Sequence, residues 1–229
     1  WVDLSEYAGE TVDLRFRLTS DGSTESNGWF IDDVRIGETQ QAAVPFPLID
    51  PLDAPESGEH WHSSSWERVT DAYAGTHAFT DSPKGKYGYD VSSALTLANT
   101  IDLSPAVHPK LTFWHKYDFY YNNAWNVKEY DYGRVYISDY YGHPGSWTLI
   151  ATFNQSSDWR YSQIDLTPWA GLPYVRIKFV MEDRRGDYNG SNHSFDSGNT
   201  GWTIDEVKIE EAPADVALSI DASSMHSVA

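Results

Sequence analysis

An all-β sandwich or barrel is the fold class this sequence predicts, and three observations predict it. Short runs of alternating apolar and polar residues recur along most of the chain, each bounded by Gly, Pro, Asn, Asp or Ser. Apolar spacing of the helical kind, three and four residues apart, is nearly absent. One group of motifs also answers another about 170 residues further on, so the repeated unit is made of strands.

The chain opens on Val2-Asp-Leu-Ser-Glu-Tyr-Ala-Gly9, followed by the alternating run VDLRFRL at 12–18, a polar loop, and Gly28-Trp-Phe-Ile-Asp-Asp-Val-Arg-Ile36. Ile164-Asp-Leu-Thr-Pro-Trp-Ala-Gly171, YVRIKFVM at 174–181 and Gly201-Trp-Thr-Ile-Asp-Glu-Val-Lys-Ile209 restate these three in the same order. Strands are further predicted in HAFTD (77–81), SALTLA (93–98), KLTFWHKY (110–117), GRVYISD (133–139) and SWTLIATF (146–153). Only the second copy has an N-terminal portion. Residues 1–38 are therefore expected to be the C-terminal part of a preceding module, 39–47 a linker, 48–211 a complete module, and 212–229 a linker and the start of a truncated following domain. Both ends read as cut. An isolated pair of strands is marginal in water, so residues 1–38 are expected to pair with another fragment of the same precursor or to pack on the complete module.

Sixteen Lys and Arg against thirty-four Asp and Glu leave a net charge of −18, which excludes nucleic acid and an anionic membrane as electrostatic partners. With 40% hydrophobic and 15% aromatic residues the chain has ample material for a core. It has no cysteine, hence neither a disulfide nor a thiolate metal site. No apolar run reaches the roughly 18 residues of a membrane-inserting helix. No HExxH, GxSxG or phosphate-binding Gly-rich motif occurs, and no spacing assembles a nucleophile with its base, so the chain is not expected to be an enzyme.

Taken in order, FPLIDPLD, WERVTDAYAGTHAFTDSP, ANTIDLSPAVHPKLTFWHKYD, GRVYISDYYGHPGSWTLI, IDLTPWAG and GWTIDEVKI resemble the jelly-roll modules related to the animal MAM domain. In bacteria such modules follow the catalytic domains of immune-inhibitor-A-type metallopeptidases and some subtilisin-like proteases, and occur in surface adhesins. The resemblance covers about residues 44–211 and the second half of a copy at 1–38. It implies a two-sheet antiparallel jelly-roll sandwich, a secreted or cell-surface location, and a non-catalytic, calcium-stabilised accessory role in a bacterial peptidase or surface protein. In modules of this kind a calcium or sodium ion joins acids of the first strand, of a loop after the hairpin and of the closing strand. Matching by motif gives Asp50, Asp81 and Asp205, with Asp32 at the equivalent position of the partial copy.

Alternation with Val207 and Ile209 turns Asp205 toward the interior, where a carboxylate needs hydrogen bonds or a cation. Oxygen-only ligands from separate strands suit calcium. The other reading is that Asp205 accepts backbone amides or pairs with an arginine, and that Asp81 starts an Asp-Ser-Pro turn. A further function class, polysaccharide binding, is suggested by the aromatic stretch between Tyr117 and Tyr141, because rings stack on sugar faces while polar neighbours take hydroxyls. Its candidate residues are Tyr120, Tyr121, Trp125, Tyr130 and Tyr132; tyrosines packed on a sheet with one end wet are the ordinary alternative. An adhesin segment binding a protein partner is the third possibility. Trp29 and Trp202, recurring before the two closing strands, are expected to plug the space between the sheets.

Overall fold

The computed structural model describes residues 7, 10–19, 43–55, 57–63, 65–87, 92–122, 129–143, 145–183 and 198–213. Its elements in chain order are β1 (Leu48–Asp50), the single-turn α1 (Ser57–His60), β2 (Trp61–His62), β3 (Glu67–Val69), β4 (Ala78–Thr80), β5 (Ser92–Leu97), β6 (Pro109–Asp118), β7 (Tyr121–Asn122), β8 (Glu129–Tyr130), β9 (Tyr132–Ser138), β10 (Trp147–Phe153), β11 (Ser156–Asp165), β12 (Arg176–Glu182) and β13 (Gly201–Glu211). Two antiparallel sheets form the sandwich. One runs β11-β6-β13-β4-β3, with β1 also on β13; the other runs β10-β9-β12-β5-β2; β7 and β8 make a separate ribbon.

Alternation along the long strands fills the space between the sheets. β6 turns Leu111, Phe113, His115 and Tyr117 inward, β12 turns Ile177, Phe179 and Met181, and β9 turns Val135 and Ile137. Trp202 is the central plug, fully buried and ringed by Trp66, His115, Phe119, Phe153 and Phe179. Its Nε1 donates to His115 Nδ1 at 3.1 Å, while His115 Nε2 lies 2.8 Å from Ser162 Oγ. Burial, with a contribution from Arg160, pushes the His115 pKa down to about 3, so this histidine is a neutral part of the core.

The recurring Gly-Trp pair has a steric cause. Gly201 has φ of +77°, and a Cβ there would overlap Asp81 Oδ1 and Ser82 Oγ. The close approach lets Trp202 N–H donate to Asp81 at 2.6 Å. Buried Arg176 secures the other end of the sandwich: Nε and Nη2 donate to Leu97 O, Nη2 also to Ala98 O, and Nη1 to Tyr141 O.

Three sequence expectations need correction or addition. The strand predicted at 12–18 is not seen: residues 11–19 carry no regular structure and are exposed. The companion strand predicted at 28–36 lies outside the described residues. β11 was not predicted, since WRYSQID offers no continuous apolar face; it forms because its backbone pairs along β6. Finally, the pairing of β13 with β6 shifts between Asp205 and Lys208, so that Glu206, at φ of +52°, and Val207 together oppose Phe113. Asp205 consequently shares the outer face with its partner Trp114 and is not in phase with the inward Val207 and Ile209. It is nonetheless buried, beneath the loop that joins β3 to β4.

Candidate functional site

The outward phase of β6 carries Thr112, Trp114, Lys116 and Asp118, and a tryptophan among three polar residues there has no core to enter. β11 lies alongside with a shift between Ser157 and Arg160, so Asp158 and Trp159 together stand opposite Lys116, while Tyr161 is the direct partner of Trp114. From the far side, the β3–β4 loop lays the Tyr73 ring on Trp114, with centroids 3.6 Å apart and planes 10° from parallel. Tyr73 also meets Trp159 at 5.9 Å, and Trp114 meets Tyr161 at 5.7 Å. Tyr73 and Tyr161 are 42% and 47% exposed, so the group of four rings faces solvent.

Two carboxylates fix the loop that carries Tyr73. Asp205 Oδ2 accepts the Tyr73 and Ala74 amides at 2.8 and 3.0 Å, and Asp53 Oδ1 accepts the Thr76 and His77 amides at 2.5 and 2.9 Å. These two amides hold the Asp53 pKa below the ordinary carboxylate value. Burial pushes that of Asp205 up, against the pull of its amide donors. Asp71 of the same loop pairs with Lys116, whose Nζ sits 5.1 Å from the Trp159 ring centre.

Next to the rings, a groove of about 620 Å³ crosses this sheet. Lys116 and Asp118, Ser156 to Asp158, Thr203, Thr80 and Asp71 line it, with Ser82, Pro83 and Gly85 of the loop after β4 as one wall. The register Lys116–Thr203–Thr80 runs across adjacent strands, so this row of polar side chains is set by the ladder itself. Asp118 is oriented by Ser156 Oγ (2.7 Å), Asn199 Nδ2 (2.9 Å) and Thr200 N (3.3 Å). The result is a trough lined mostly by polar residues, with an aromatic cluster beside it on the same sheet face and Lys116 between the two.

The acids proposed as metal ligands do not converge. Asp50 accepts Leu52 N and Ser57 Oγ on Oδ1 (3.0 and 2.5 Å) and Trp61 Nε1 on Oδ2 (3.1 Å), with His60 Nδ1 also 2.9 Å from Oδ2. Asp81 accepts Trp202 N and Ser82 Oγ, and burial pushes its pKa up to about 6. Asp205 accepts three amides, those of Tyr73, Ala74 and Glu206. N–H and O–H groups point at these oxygens, so each carboxylate is satisfied by hydrogen bonds where it stands. Among the described residues no three His, Asp or Glu side chains are grouped as a metal requires. Asp32 lies outside the described residues.

Of the aromatic residues proposed from sequence, Tyr121 and Tyr130 are direct partners on the β7–β8 ribbon, with Tyr120 just before β7 and Tyr132 at the start of β9. Tyr120 is half-buried, its N–H donating to Tyr87 Oη; Tyr121 is exposed on the β7–β8 ribbon opposite Tyr130. Tyr132 belongs to the five-stranded sheet, with the Arg134 guanidinium 4.6 Å from its ring. Trp125 lies outside the described residues. The cluster that does assemble, Tyr73, Trp114, Trp159 and Tyr161, was missed by reading aromatic density along the chain. The available signal was phase: Trp114 sits on the polar side of KLTFWHKY.

No protein-family model matches the chain, and no curated protein matches it. Among solved structures it is similar to TmCBM61, solved in complex with β-1,4-galactotriose, at 16% identity and a TM-score of 0.40, covering 66% of this chain and 88% of that one. It is also similar to a family 16 carbohydrate-binding module (16% identity, TM-score 0.39, 64% and 86% covered). A third is the CBM22-2 xylan-binding domain of Paenibacillus barcinonensis Xyn10C (11% identity, TM-score 0.40, 73% and 99% covered). Likeness at this level carries no argument about function.

Proposed function

We propose that this chain is a non-catalytic carbohydrate-binding module whose ligand lies in the groove on the outer face of the six-stranded sheet. The observation that carries this reading is the joining, on one face, of an exposed four-ring cluster to a trough lined by hydroxyls, carboxylates and one ammonium group. Rings take the C–H faces of a pyranose and polar groups take its hydroxyls. The trough draws on residues from β11 to the β3–β4 connection. Four interstrand steps of about 4.8 Å make that roughly 19 Å, room for several linked sugars of a chain running past both sheet edges. The calcium-stabilised accessory role in a peptidase, and the adhesin role, have no comparable observation in their favour.

The test is retention on a panel of soluble and insoluble polysaccharides, with Trp114→Ala and Trp159→Ala beside the wild type. Retention on at least one polysaccharide is expected, weakened about fivefold or more by Trp114→Ala, in line with the loss of one ring stack. Equal retention of the variants would place binding elsewhere. No retention on any polysaccharide would remove the reading.

A further inference from the structure

Trp114, Tyr73 and Trp159 form a series of three rings, and the middle one comes from a loop. Tyr73 lies flat on the indole face of Trp114 in the manner of a bound ring, and also meets Trp159 with the planes 60° apart. Its backbone does not depend on that stack, because Asp205 holds the Tyr73 and Ala74 amides and Asp53 holds the next turn. The side chain can therefore leave by rotation about χ1 while the loop stays tethered. What keeps it down is the stack on Trp114 and the tilted contact with Trp159, with the Asp71–Lys116 ion pair, its carboxylate 71% exposed and easily screened, holding the loop two residues earlier. A sugar stacking on Trp114 gains an interaction of the same size as the one it displaces.

We propose that Tyr73 is an internal occupant of a ring-sized slot on the face of Trp114, beside Trp159, displaced when one pyranose of a bound glycan enters. This rests on the carbohydrate reading and adds to it that the free module is self-blocked at one subsite. Tyr73 then lowers affinity, and Asp71 with Lys116 sets how firmly it is latched.

The experiment is affinity electrophoresis or calorimetry with whichever polysaccharide is retained, on the wild type, Tyr73→Ala, Tyr73→Phe and Asp71→Asn. Tyr73→Ala is expected to bind about three- to tenfold tighter, the factor of one aromatic stack, with Tyr73→Phe near the wild type and Asp71→Asn between. Weaker or unchanged binding by a folded Tyr73→Ala makes Tyr73 part of the platform; that overturns the slot and leaves the carbohydrate reading standing. Should Tyr73→Ala fail to fold, tighter binding by Asp71→Asn supports the slot and unchanged or weaker binding overturns it. If no variant binds any polysaccharide, the carbohydrate reading falls and the slot with it.

Discussion

Replacing Asp81 by asparagine should remove a pH-dependent cost of folding. The carboxyl is buried, and desolvation lifts its pKa from 3.8 to about 6 against the Trp202 amide and Ser82 hydroxyl that favour the charge. Below pH 3.8 both the folded and unfolded chains hold the proton, and the group is neutral in either. As the pH rises toward 6 the unfolded chain ionises first, so the folded state is progressively disfavoured; above 6 the full penalty is present. At about 1.4 kcal/mol per pH unit, that penalty is about 3 kcal/mol. Asparagine keeps an oxygen for the Trp202 N–H and carries no charge. His115 slopes the other way: its folded pKa of about 3 lies below the ordinary 6.5, so its contribution is present above 6.5 and lost as the pH falls toward 3. The useful quantity is therefore the difference between the two proteins, in which His115 cancels. Urea unfolding followed by tryptophan fluorescence from pH 3.5 to 7.5 should show Asp81→Asn equal to wild type at the acid end and up to about 3 kcal/mol more stable at the neutral end. Parallel profiles across this range would refute the account of Asp81.

Other substitutions test the framework around the groove. Gly201→Ala sets a side chain at φ of +77° against Asp81 and Ser82 and should cost about 2 kcal/mol or more, read as a lower urea midpoint at unchanged slope. Arg176→Met leaves Leu97, Ala98 and Tyr141 carbonyls without their donor, and a loss of about 3 kcal/mol is expected by thermal unfolding, with Arg176→Lys restoring only part because it lacks the planar fork. Asp50→Ala strands donors from Leu52, Ser57 and Trp61 and should lower stability by about 3 kcal/mol; a change below 0.5 kcal/mol, within the spread of ordinary surface substitutions at about that size, would show that this cage is not needed.

Strong alternation made most of the fold legible. β4, β5, β6, β9, β10, β12 and β13 fall where apolar residues recur every second position, and the plug role of Trp202 was readable from its place before the closing strand. What escaped was whatever depends on a neighbour. β11 has few apolar residues and is defined by the backbone of β6; the run at 12–18 has the alternating pattern of a strand yet no regular structure. The site was harder still. Trp114 and Tyr161 are brought together by register across two strands, and Tyr73 is brought to them by a hairpin loop anchored on Asp205, 132 residues away. Density of aromatic residues along the chain pointed instead to Tyr120 through Tyr132, which the ladders distribute between a ribbon and the opposite sheet.

The shifted pairing at Glu206 gives β13 a change of phase in the middle. Before it, even positions such as Trp202 and Ile204 belong to the core; after it, odd positions such as Val207 and Ile209 do. Loss of Glu206 alone would let Val207 oppose Phe113 by itself and leave Trp202, Ile204, Val207 and Ile209 on one face in unbroken alternation, so a strand without this residue would still fill the core and still offer Asp205 to the Tyr73 loop.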